Sequence, residues 1–219
     1  VPGHYNLDLV SEYVTQGIHQ AGGTPIEFGV IAACDGIAQG HEGMHYILPT
    51  RDLIANDVEM MVQAHRLDAV VLLGSCDKIV PGMLMAAARL DIPAIIIVGG
   101  PMEGGCQFDH RAADTTSLTE ALGMMLPGGA AIPAVAADRL RHGEAAGARA
   151  VHMAREGLTP DRIMTPEAIA NAFRILLAIG GSTNGLVHMT AIARRLGIDV
   201  DLEALDAMGR ETPVLVDLK

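Results

Sequence analysis

A thiol, a carboxylate and an amine stand side by side at Cys76, Asp77 and Lys78. A thiolate is a soft ligand that suits zinc or iron–sulfur. A carboxylate is a hard ligand that suits magnesium. Adjacent residues at a strand end project in different directions, so Cys76 and Asp77 could serve two different metals. Lys78 is odd beside a metal as a cation. It makes sense as a charge partner, as a base, or as a carbamylated side chain turned into an anionic oxygen ligand. Two other stretches carry similar groups among glycines: Cys34-Asp35-Gly36-Ile37, and the run from Gly99 through Pro101, Met102 and Glu103 to Cys106. Plainer readings compete with these. A cysteine at a strand end is commonly a small buried hydrophobe, and an Asp-Lys pair is commonly a surface ion pair of little weight.

What precedes the three loops gives them meaning. Residues 26–33, 68–75 and 93–98 are short apolar runs, rich in β-branched side chains and bounded by Gly, Asp or Pro. Each reads as a buried strand. Ligands of open α/β sheets bind beyond the carboxyl ends of the strands, and all three loops fall there. Helical periodicity fills the intervals. Residues 7–21 place Leu7, Val10, Val14 and Ile18 on one face. Thr50 is a plausible N-cap for a helix to His65, with Leu53, Ile54, Val58, Met61 and Val62 inward. Pro81 suits the first turn of a helix ending near Leu90. Thr165-Pro166-Glu167 has the order of a helix start, leading to an apolar face of Ile169, Phe173, Leu176 and Leu177. The Ala-rich run 145–155 reads as helix, and so does 184–196, stopped by Gly197.

The fold class expected is α/β: a doubly wound, mainly parallel sheet with helices on both faces and a helical carboxyl-terminal extension. The pattern changes near Gly128. This divides the chain into an α/β metal-binding subdomain over residues 1–127 and a mostly helical continuation over residues 128–219.

Composition narrows the function classes. Half of the 219 residues are hydrophobic, but there is no Trp and only three Phe and three Tyr, so the core must be aliphatic. A formal net charge of −11 argues against a nucleic-acid partner, whose affinity rests on Lys and Arg contacts to phosphate. It leaves room for a small anionic substrate, because a bound cation supplies local positive charge. The cysteines, Cys34, Cys76 and Cys106, are odd in number and form no CxxC pair. Free thiols and a cytoplasmic location are the better expectation. No apolar run reaches the roughly 18 residues of a membrane helix, and no signal peptide is visible. The opening Val1-Pro2-Gly3-His4 lacks an initiator Met, which suggests missing upstream sequence.

The long run Cys76-Asp77-Lys78-Ile79-Val80-Pro81-Gly82-Met83-Leu84-Met85-Ala86 resembles the signature of the dihydroxy-acid and 6-phosphogluconate dehydratase family. The likeness continues in Asp35-Gly36-Ile37-Ala38-Gln39-Gly40-His41-Glu42-Gly43-Met44, in Pro49-Thr50-Arg51-Asp52-Leu53-Ile54-Ala55, in Gly99-Gly100-Pro101-Met102-Glu103 and in Gly180-Gly181-Ser182-Thr183-Asn184. It extends from Pro2 to about Leu218 and covers the family's amino-terminal domain. The resemblance implies a homodimeric hydro-lyase that dehydrates a 2,3-dihydroxy acid to a 2-keto acid with an iron–sulfur cluster (2Fe-2S or 4Fe-4S) and Mg2+. It puts an iron–sulfur ligand at Cys76 and magnesium ligands at Asp35, Asp77 and Lys78, the last carbamylated. Ser182, Thr183 and Asn184 become candidates for the substrate region, against a plainer role for Ser182 or Thr183 as helix cap. Cys34 stands where a small residue is usual and is expected to be structural. Cys106 has no family counterpart, and His41 and Glu42 have no assigned role.

The chain departs from the family in three ways. Gly3 stands where some relatives carry a cluster cysteine. The family's cysteine-containing loop before the Leu118-Thr119-Glu120-Ala121-Leu122 helix is missing, since Arg111 leads almost at once into that helix. If that loop exists but is disordered, the structure should break between Arg111 and Ala112. The family's carboxyl-terminal domain, with a further magnesium carboxylate and the serine implied as base, is also absent, so no catalytic base is expected here. The wording of residues 35–55 leans toward the enzyme of branched-chain amino-acid biosynthesis. A sugar-acid or 6-phosphogluconate dehydratase, and an inactive stand-alone binding domain, remain as alternatives.

Overall fold

A computed structural model of the protein describes residues 2–101 and 110–216, apart from the side chains of Pro2 and of 110–114. Two parallel strands form its centre, β1 (Val70–Gly74) and β2 (Ala94–Val98), in the register Val70 with Ala94 through Gly74 with Val98. The helices are α1 (Leu7–Gln20), α2 (Asp35–Ala38), α3 (Met44–His65), α4 (Ile79–Leu90) and α5 (His110–Ala121), then α6 (Ala137–Glu156), α7 (Pro160–Ile163), α8 (Pro166–Ala178), α9 (Thr183–Arg195) and α10 (Leu202–Glu211). The backbone of α5 is continuous from Arg111 to Ala112.

Strand alternation sends side chains to two separate cores. Val70, Leu72, Ala94, Ile96 and Val98 pack with α3, α4, α8 and α9 around Ile54, Val58, Leu84, Phe173 and Ile192. Ile95 and Ile97 face the other way, against α1 and α6. Helices therefore cover both faces, as an α/β fold requires. α4 is the crossover between the strands, and it is buried nearly all round.

α1 and α6 cross at glycines. A Cβ on Gly17 would lie 1.9 Å from the carbonyl oxygen of Glu144, and one on Gly147 would lie 2.2 Å from that of Val14. Both collisions are with backbone, which cannot swing aside. Gly147→Ala should therefore destabilise by about 1–3 kcal/mol through overpacking, despite the gain in helix propensity of about 1 kcal/mol. Urea unfolding checks this, and a stabilised variant would show that the helices separate freely.

Three expectations need correction. Residues 26–33 form no strand: Ile26 is 59 % exposed, and the Ile31 N–H donates to the Asp57 carboxylate at 2.9 Å. A cavity of about 880 Å3 lies between this extended segment and β1, lined by Ile26, Phe28, Val30, Val71 and Leu72 among others. The described sheet therefore has two strands, and the other edge of β2 is met only locally, where Ile96 N–H donates to the Met124 carbonyl at 2.8 Å. Thr50 is not an N-cap. α3 starts at Met44 and carries Pro49 inside it, and the Thr50 hydroxyl donates to the Ile47 carbonyl at 2.6 Å. Pro49 lies beyond the first turn of α3 and has no N–H to give to the His45 carbonyl, so the helix goes without one hydrogen bond there. Leu53 is 50 % exposed and does not join the inner face.

Other local readings agree with the structure. Thr165 caps α8 by accepting the Ala168 N–H, with Pro166 at the first position. Gly197, at φ 73, follows α9. No helix among the described residues is long and apolar enough to cross a membrane.

Candidate metal centre

Beyond Gly74 the chain turns abruptly. Cys76 has φ 72, a left-handed backbone that costs a non-glycine residue about 1–3 kcal/mol unless its surroundings hold it there. The surroundings are close. The Cys76 and Cys34 sulfurs are 3.1 Å apart in a thiol–thiol hydrogen bond, and His4 Nδ1 is 3.9 Å from the Cys76 sulfur. These three ligand atoms lie within 4.8 Å of one another. Cys34 immediately precedes α2, and His4 ends a 3-10 turn, Pro2–His4.

That turn rests on the ends of both strands through glycine. A Cβ on Gly99 would fall 1.6 Å from the Gly3 carbonyl oxygen, and one on Gly3 would fall 2.2 Å from Ser75 Oγ. Only glycine permits this approach, and the approach is what brings His4 to Cys76. Burial foremost, then the neighbouring Cys34 and the Asp35 carboxylate, push the Cys76 thiol well above the ordinary range. Burial also lowers the pKa of His4.

One residue further on the chemistry changes from sulfur to oxygen. Asp77 is 2 % exposed. Its Oδ2 accepts from Lys78 Nζ at 3.1 Å and from Asn184 Nδ2 at 2.9 Å, and its Oδ1 accepts from Thr115 Oγ1 at 3.4 Å. Lys78 Nζ also donates to Asn184 Oδ1 at 3.2 Å. Behind this group Arg51 Nη1 donates to Nδ1 of the buried His188 at 3.1 Å. Desolvation, reinforced by Arg51 and Lys78, lowers the pKa of His188 to about 3, so its ring is neutral.

Of the residues that the sequence points to, Asp77, Lys78 and Asn184 meet in one hydrogen-bonded group. Asp35 stands by the Cys76 thiol, whose pKa it helps to raise. Ser182 caps α9 through the Gly185 N–H at 3.4 Å, and Thr183 is exposed at the start of that helix. His41 bonds within its own loop, to the Ile37 carbonyl and the Gly43 N–H. Met102, Glu103 and Cys106 lie outside the described residues. Sequence reasoning alone does not reach His4 and Cys34 as ligands. The available signal is a cysteine directly before Asp35 at the end of an apolar run, together with a histidine beside Gly3.

A sulfur-lined corner next to a buried carboxylate, at the end of β1, sets ligand atoms that could hold a metal ion at the strand end of an α/β fold. The chain matches the family described as dihydroxy-acid/6-phosphogluconate dehydratase N-terminal over residues 1–109 and 103–219, and it belongs to that family. A dihydroxy-acid dehydratase of Ignicoccus hospitalis is 46 % identical over 259 aligned positions, spanning 100 % of this chain and 47 % of the relative. Those of Caldanaerobacter subterraneus subsp. tengcongensis and Methanosarcina barkeri are 42 % and 41 % identical, again across 100 % of this chain and 47 % of theirs. The chain thus spans about half the length of the curated relatives it matches. The alignment of 259 positions against 219 residues leaves an internal stretch of the relative without a counterpart here. The two matched pieces of the family meet at residues 103–109, which places the gap there.

Proposed function

We propose that this chain is the metal-holding half of a dihydroxy-acid dehydratase, a hydro-lyase that converts a 2,3-dihydroxy acid to a 2-keto acid in branched-chain amino-acid biosynthesis. The observation that carries the reading is the adjacency of a soft thiol corner at Cys76 and a buried hard carboxylate at Asp77. The donor chemistry fits the two metals of the family. Cys76 would hold the iron–sulfur cluster, while Asp35, Asp77 and Lys78, carbamylated, would hold Mg2+. When bound, Mg2+ supplies Lewis acidity for charge on the substrate carboxylate, and the cluster supplies an acceptor for the departing 3-hydroxyl.

The chain's own residues do the positioning. Asp77 is fixed by Asn184 and Thr115, so its carboxylate is oriented before any cation arrives. The Lys78 ammonium neutralises Asp77 until then. The subdomain over residues 1–127 brings the ligands, and the continuation over residues 128–219 adds Asn184 and His188 behind them. The proton-abstracting group belongs outside these 219 residues. The reading also takes a homodimer, a cytoplasmic setting in which Cys34 and Cys76 stay free thiols, and a more extensive parallel sheet in the complete protein.

The internal gap favours a second reading, an inactive binding domain that has kept the fold. One experiment separates them. Iron, sulfide and magnesium are measured in anaerobically purified protein and in the Cys76→Ser and Asp77→Asn variants. The dehydratase reading expects Cys76→Ser to lose iron and sulfide, and Asp77→Asn to lose magnesium alone. Protein without either metal would support the binding domain. A carbamate signal after incubation with 13C-bicarbonate, absent in Lys78→Arg, would test the modified lysine. Conversion of branched aliphatic dihydroxy acids rather than phosphorylated sugar acids by the complete polypeptide would decide the substrate.

A further inference from the structure

We infer that Cys34 and His4 are metal ligands, and that with Cys76 they form a three-point soft-metal site. The inference rests on the proposed reading only for the identity of the metal.

The three donors come from separate stretches of the chain: a 3-10 turn, the residue before α2, and the turn after β1. Cys76 also packs against the main core, but core packing alone does not call for a second thiol and an imidazole on its sulfur. The convergence is maintained at some cost. Cys76 keeps a left-handed backbone, and Gly3 and Gly99 are in backbone contact to seat the turn that carries His4. These are features of a preorganised site.

The spacing suits a tetrahedral metal. Bond lengths of about 2.3 Å to sulfur and 2.0 Å to imidazole put two sulfurs roughly 3.7 Å apart, and a sulfur and a nitrogen roughly 3.5 Å apart. The sulfurs at 3.1 Å need to open slightly, and the imidazole at 3.9 Å needs to close slightly. Two thiolates and one imidazole are the three ligands that the described residues supply, and three protein ligands are the set of a site that can take a further, exchangeable ligand. Loading releases the thiol protons to solvent, and no electron transfer is required.

The test uses Co2+ on anaerobic protein, with alkylation of each cysteine followed by peptide mass spectrometry. One equivalent of Co2+ should produce thiolate-to-metal absorption and protect both Cys34 and Cys76. Cys34→Ser should weaken binding by about tenfold or more and His4→Ala by a similar factor, with unchanged circular dichroism. Protection of Cys76 alone, or equal affinity in Cys34→Ser, overturns the inference, as does absence of any protection. Reconstitution with ferrous iron and sulfide is read separately. If no sulfide is retained while Co2+ still protects both thiols, the iron–sulfur reading fails and the three-point site stands.

Discussion

Asp77→Ala should lose about 3–5 kcal/mol of stability, the usual cost of stranding one member of a buried ion pair. The carboxylate accepts from Lys78, Asn184 and Thr115, and the Lys78 side chain is only 13 % exposed. Truncation takes the carboxylate from both the Lys78 ammonium and the Asn184 amide, and among the described residues leaves the largely buried ammonium only the neutral Asn184 Oδ1 as acceptor. A domain's total stability is about 5–15 kcal/mol, so the variant should unfold at far lower urea. Asp77→Ala with Lys78→Met should recover much of the loss, because the stranded charge goes too. A single variant within about 1 kcal/mol of the parent would mean that Lys78 finds solvent easily and that the pair behaves as a surface one.

The second large effect is on acid stability. His188 is 1 % exposed, accepts a hydrogen bond from Arg51 at Nδ1, and stays neutral down to a pKa of about 3. In the unfolded chain its pKa returns to about 6.5. Below about 6.5 the unfolded state therefore binds a proton that the folded state refuses. Stability is full above about pH 6.5 and falls as pH drops toward 3, by about 1.4 kcal/mol per pH unit. His188→Gln keeps an acceptor for Arg51 and cannot titrate. The stability gap between parent and variant should close steadily from about pH 6.5 to about pH 4, followed by urea unfolding at each pH. Parallel curves would show that another group dominates acid unfolding.

Legibility in the sequence depends on range. α4 and α8 are clear because their periodicity, Pro81 and the Thr165 cap are local. β1 and β2 are clear as apolar runs between breakers. Residues 26–33 look the same by composition, but a strand exists only where a neighbour completes its ladder, and here the Ile31 N–H finds Asp57 instead. Thr50 misleads because its hydroxyl can serve a cap or an internal carbonyl equally well. At the site, Cys76, Asp77 and Lys78 announce themselves by adjacency. Cys34 and His4 lie 42 and 72 residues away from Cys76. The arrival of His4 depends on a glycine-to-glycine contact that no spacing rule encodes.

Asn184 reaches Asp77 across 107 residues of chain. Closing so long a loop is slow and entropically costly, so the hydrogen-bonded group around Asp77 is not complete until α9 has docked on α4. On a growing polypeptide, Cys76 and Asp77 are synthesised long before the residue that locks the carboxylate in place. If Asp77 holds the hard cation as proposed, that cation would be the last component to enter, and its retention would report that α9 as well as the first half of the chain has reached its native place.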